Sequence, residues 1–170
     1  MRLRLALPLL LAATALAACS QAEDEAAAPA PTPTLTTQAL PTAAPDGTPL
    51  ALGEWLVEES AGGASATFRE QGGVNALVLV CDRASRALSL GRAGTAAQPQ
   101  RFRITIGAQK ADVMLAPGGV AGLTAAVDGK QPIFAAFADA AAVIEVTGPG
   151  APALRLPGHP GISRVFAACG

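Results

Sequence analysis

Tyrosine is absent from this 170-residue chain, tryptophan and histidine occur once each, and aromatic residues make up only 4% of it. Sugar-binding surfaces ask for more aromatic area than that, and any core has to be built mostly from Val, Leu, Ile and Ala. Charge is sparse as well: twelve basic residues stand against thirteen acidic ones. The basic footprint that nucleic-acid binding requires is missing, so no nucleic-acid partner is expected. A Gly-x-Ser-x-Gly elbow, a phosphate loop, a His-Glu-x-x-His pair and a paired-cysteine metal motif are all lacking, which leaves nucleophilic, phosphoryl-transfer and zinc chemistry without their usual groups. Zinc usually takes four ligands, and only His159 is available to join the cysteines without calling on carboxylates. Neither a cofactor nor a metal is expected, and the protein is not expected to be an enzyme.

What is present begins with Met1-Arg2-Leu3-Arg4 and an apolar run from Leu5 to Ala18, a basic start and an apolar length that fit an export signal and are too short to span a bilayer stably. The run ends Leu16-Ala17-Ala18-Cys19, and this resembles the lipobox of bacterial lipoproteins. The resemblance implies that residues 1–18 are a signal peptide and that Cys19 carries the lipid, palmitate among its acyl chains. Each buried methylene contributes about 0.8 kcal/mol, so two or more chains hold a protein on its membrane where one is marginal. Ser20 follows the cysteine; in the lipoproteins this resembles, a residue other than aspartate there goes with transfer to the outer membrane. The expected location is the bacterial cell envelope, facing the periplasm. Cleavage would remove Arg2 and Arg4 and leave ten basic residues against thirteen acidic, a net charge of −3.

From Cys19 to Pro49 the composition turns to Ala, Pro and Thr, with Pro29, Pro31, Pro33, Pro41, Pro45 and Pro49 too closely spaced for a helix or a central strand. This reads as a tether, which at about 3.1 Å per residue reaches roughly 90 Å when fully extended. An alternative is that part of it packs on the domain. The remainder, residues 50–170, has the size of a single domain with one modest core.

Within that domain, short apolar segments separated by Gly, Pro and Asp recur at about ten-residue intervals, the pattern of an antiparallel β domain. Trp55 to Val57, Ala64 to Arg69 and Ala76 to Cys81 read as the first strands, with Gly62-Gly63 and Gly72-Gly73 supplying the turns. Both faces of Ala76 to Cys81 are apolar, which places that strand at a sheet centre. Arg86 to Arg92 returns with Leu88 and Leu90 on one face, and Arg101 to Gly107 alternates most cleanly. Val113 to Leu115, Gly122 to Val127, Ala142 to Thr147 and Leu154 to Pro157 continue the pattern less clearly. Pro132 opens one or two helical turns, and Ile162, Val165, Phe166 and Cys169 recur at helical spacing. The expected fold is mainly β, an antiparallel β-sandwich or partly open barrel of seven or eight strands, with one short internal helix and a short C-terminal helix.

Cys81 and Cys169 remain beyond the anchor, and the compartment outside the inner membrane is oxidising. A disulfide between them is expected; two separate buried thiols or a metal pair are the alternatives. Cys81-Asp82 with Arg86, Leu88 and Leu90, together with Leu156-Pro157, Ile162, Arg164-Val165 and Cys169, is similar to a group of small uncharacterised envelope proteins of alphaproteobacteria. That resemblance implies paired cysteines and a mostly β domain and brings no activity with it. It also departs from the group's pattern, since His159-Pro160-Gly161 stands where an acidic residue precedes the Ile-x-Arg-Val stretch.

The candidate polar site is Asp82, Arg83 and Arg86, which a turn brings beside Cys81; the simpler reading is an Asx-type turn with exposed arginines. His159 is expected as a solvated residue in a surface turn, and Trp55 as a core residue. Asp82, Asp112, Asp128 and Glu145 supply carboxylates, but nothing in their spacing pairs them for acid/base work. Elimination favours non-catalytic binding of an envelope protein partner, in an accessory, assembly or inhibitor role. Binding of a small apolar ligand or lipid in an interior cavity is the alternative, and an enzyme of unrecognised type the third.

Overall fold

The computed structural model describes residues 40–170; the expected signal peptide, Cys19 and the expected tether as far as residue 39 lie outside the described residues. The domain is mainly β, and its strands are β1 (Gly53–Ser60), β2 (Gly63–Glu70), β3 (Asn75–Asp82), β4 (Ala87–Ala93), β5 (Gln100–Ile106), β6 (Gln109–Pro117), β7 (Gly122–Val127), β8 (Val143–Gly148) and β9 (Ala151–Pro157). Between β7 and β8 lie a one-turn helix α1 (Pro132–Ala135) and a 3-10 turn over Ala136–Ala138, and α2 (Ile162–Cys169) closes the chain. Pro132 sits in the first turn of α1, where its missing N–H costs nothing.

All nine strands form one antiparallel sheet in the order β1-β2-β3-β4-β7-β6-β5-β8-β9, curled into a half-barrel. Of the two architectures expected, the partly open barrel is the one adopted, and it has nine strands because every alternating segment, Leu154 to Pro157 included, is part of one. The pairing is shortest between β6 and β7, which share only two residue pairs, Ala116 with Thr124 and Pro117 with Leu123. The two edges of the sheet approach each other. Trp55 Nε1 on β1 donates to the Pro157 carbonyl at 2.8 Å, and the Ala51 amide donates to the Arg155 carbonyl at 2.8 Å.

Register explains which residues face inward. Phe68 pairs with Leu77, Ala66 with Leu79 and Ala64 with Cys81, so these side chains share a face. On that same face β4 presents Leu88, Leu90 and Arg92, opposite Cys81, Leu79 and Leu77. Ile104, Leu115, Ile144 and Leu156 complete the interior, all fully buried. β3 lies between β2 and β4, with Ala76 to Leu79 buried on both faces, as its unbroken apolar run requires. The β1–β2 turn uses only one of its two glycines in the left-handed region, Gly63 at φ +151°, where a Cβ would collide with the Cys81 carbonyl oxygen.

The helices fill the end of the barrel where β3 finishes. Ile133, Phe134 and Phe137 are buried there, and α2 packs on β2, β3 and β4 with Ile162 and Val165 inside. Cys169, the last residue of α2, is disulfide-bonded to Cys81. Ahead of β1, part of the expected tether belongs to the fold: Leu40 packs against the core, Ala43 bridges Pro49, and the Leu50 amide donates to the Thr42 carbonyl at 3.0 Å.

Candidate functional site

A cleft of 620 Å³ opens at the β1–β2 hairpin, and its lining includes Val57, Glu58, Glu59, Ser65, Val80 and Asp82. Cys81 forms part of the wall, so the disulfide joins this cleft to α2. A second link is ionic: Arg164 Nη1 on α2 lies 3.5 Å from Glu59 Oε1. Both side chains are about half exposed, so the pair orients more than it stabilises. The walls are therefore short aliphatic groups and strand backbone, and the rim carries three carboxylates.

Asp82 is held by its own turn. Its Oδ1 accepts from the Ser85 amide at 2.8 Å and from Ser85 Oγ at 2.7 Å. The Ser85 side chain, and then its amide, hold the Asp82 carboxyl below its ordinary pKa. Arg83 reaches the other way, Nη1 donating to the Ala61 carbonyl at 3.4 Å. Arg86 is the turn's left-handed residue, at φ 55°, and precedes β4 rather than opening it. Asp82, Arg83 and Arg86 thus share one turn beside Cys81, and among the described residues neither arginine forms an ion pair with the aspartate.

The remaining carboxylates are dispersed. Asp112 is paired with Arg103 through Nε at 2.8 Å and Nη2 at 3.1 Å on the outer face of β5 and β6, which holds its pKa down. Asp128 accepts from the Lys130 amide at 3.0 Å in the turn before α1, and Glu145 Oε2 accepts from Arg155 Nε at 3.1 Å. Each carboxylate is occupied locally, and no group of three or more metal-binding side chains occurs among the described residues.

His159 departs from expectation: it is only 7% exposed. The turn from Gly158 to Gly161 lies against the 3-10 segment, with the Gly158 amide donating to the Ala142 carbonyl and the His159 amide to the Phe137 carbonyl at 2.8 and 2.9 Å. His159 Nδ1 accepts from the Gly161 amide at 3.1 Å. Burial first, and the charge of Arg164 second, hold the imidazole below its ordinary pKa. Trp55 is a core residue as expected, edge-on to Phe68 with ring centroids 5.4 Å apart.

Arg92 is a buried charged residue that was not expected from the sequence. It is 4% exposed, inside the barrel, with its guanidinium carbon 5.5 Å from the centroid of Phe102. Nη2 donates to the Pro152 carbonyl at 2.6 Å, while the buried Nε has no partner. A signal for this existed, because in Leu88-Ser89-Leu90-Gly91-Arg92 the arginine shares the parity of the two leucines. Its charge concealed that.

The chain matches no family model, no curated protein and no solved structure.

Proposed function

We propose that this protein is a lipid-anchored envelope protein whose half-barrel binds a protein partner without catalysis, through the cleft at the β1–β2 hairpin. The observation that carries the proposal is the cleft itself: 620 Å³, small aliphatic walls and a rim of Glu58, Glu59 and Asp82, a receptor for a basic or small apolar side chain of a partner. A disulfide-linked frame supports it, since a site ordered before binding loses less entropy on association. A barrel interior occupied by Phe134, Phe137, Ile162 and Val165 favours this over a lipid held within the sheet. The lipobox-like Leu16-Ala17-Ala18-Cys19 supports attachment to a membrane at Cys19.

Site-specific photo-crosslinking in cells tests the proposal. A photoreactive residue at Glu58 or Ser65 should yield one discrete adduct, and the same residue at Thr105, on the far strand β5, should not. Charge reversal by Glu58→Lys with Glu59→Lys should reduce the adduct about tenfold. No adduct from either cleft position, or equal adducts from all three, would remove the partner reading. Cys19→Ser should move the protein from the membrane to the soluble fraction; retention on washed membranes would defeat the anchor.

A further inference from the structure

A second cleft, of 350 Å³, lies at the opposite end of the barrel, and Arg92 and Glu70 are among its lining residues. The rest of the lining is chiefly small and apolar, including Leu50, Val74, Ala76 and Pro152. Arginine carries five N–H donors and keeps its charge. Arg92 has one protein acceptor, no ion pair among the described residues, and a buried Nε–H without a partner. A charge taken out of water costs several kcal/mol unless it is paired and its hydrogen bonds are made. The Phe102 ring and one carbonyl offset only part of that. Burial holds the Arg92 pKa below its ordinary value, the charge of Glu70 opposes that through space, and no hydrogen bond joins the two among the described residues.

We propose that this cleft is a binding site for a carboxylate bearing a short apolar tail, with Arg92 holding the carboxylate. A carboxylate accepts from the free Nε–H and a spare Nη hydrogen in the parallel two-bond geometry that arginine favours. Its tail then covers Leu50, Val74 and Ala76. The volume is at the small end of ligand sites. Glu70 disfavours a multiply charged anion such as phosphate. The same chemistry is presented by a free short-chain acid and by the C-terminus of a peptide ending in an apolar residue. The site is separate from the partner cleft and does not depend on it.

Nitrogen-detected NMR of the full-length protein, with its disulfide intact, follows the Arg92 Nε–H directly while hexanoate, hexanol, a valine-ended tetrapeptide or the amide of that tetrapeptide is added. A saturable Arg92 shift with hexanoate or the free-acid peptide, absent with hexanol and the amide, supports the proposal. Which of the two acids binds identifies the source. Arg92→Met should weaken binding at least tenfold, and Glu70→Gln, which removes the neighbouring negative charge, should tighten it several-fold. No Arg92 shift with either acid at tens of millimolar, or an equal response to hexanol, overturns the proposal. Because the shift is read in the unaltered protein, the outcome stands even where Arg92→Met does not fold.

Discussion

Replacing both Cys81 and Cys169 with alanine removes a cross-link between residues 88 apart in sequence. The chain-entropy relation gives about 4.6 kcal/mol at 25 °C for a loop of that size, while measured contributions are more often 2 to 4 kcal/mol. Cys81 is 2% exposed among Leu79, Leu88 and Ala64, so the lost sulfur adds a cavity term of about 1 kcal/mol. The expected loss is about 3 to 5 kcal/mol, a large share of the stability of a domain this size. Urea denaturation reads it from the midpoint. The slope m should rise, because the unlinked denatured chain exposes more surface. Loosening should be uneven. α2 has eight residues, too few to hold a helix without packing. Its amides should therefore exchange sooner than those of β3, since the packing of Ile162 and Val165 and the half-exposed Arg164–Glu59 pair are what then attach it. A loss below about 1 kcal/mol with an unchanged slope would refute this account of how α2 is held.

Trp55→Phe keeps an aromatic ring against Phe68 but removes the bond from Nε1 to the Pro157 carbonyl; it should cost about 1 to 3 kcal/mol in urea denaturation and loosen the approach of β1 to β9. Gly63→Ala should cost at least about 2 kcal/mol, since φ is +151° and the new Cβ meets the Cys81 carbonyl. Gly62→Ala, where a Cβ would find only Ser60 Oγ at 3.7 Å, should stay within about 0.5 kcal/mol of the parent; similar thermal midpoints for the two variants would contradict the register of the hairpin. His159 has a folded pKa below its unfolded value of 6.5, so the unfolded chain binds its proton first. Its contribution is complete above about pH 6.5 and is lost as pH falls from there through the folded pKa. His159→Asn keeps an acceptor for the Gly161 amide but does not titrate, so stability measured between pH 7 and 5 should lose that part of its slope.

Several features were legible because the information is local. In Arg101 to Ile106 every second side chain is apolar, and that strand forms with Phe102, Ile104 and Ile106 inward. Ile162, Val165, Phe166 and Cys169 lie on one stripe, and α2 forms where that stripe is. Of the candidate polar group, Asp82 does begin a tight turn, but Arg83 and Arg86 diverge from it. That depends on the rotation of each side chain about the turn, which spacing does not specify. His159 misled because glycine and proline on either side describe a turn equally well at the surface or against Phe137.

Alternation of apolar residues, Cys81 and Cys169, and the glycine turns thus pointed, from the sequence alone, to a β domain cross-linked from β3 to its last helix. Tertiary structure decided the rest. That the sheet curls until Trp55 meets Pro157, 102 residues away, follows from strand order and twist, which no local pattern encodes. The burial of Arg92 has the same origin: parity assigns its face, but only the curled sheet, with Phe102 and Pro152 brought around from β5 and β9, turns that face into an interior.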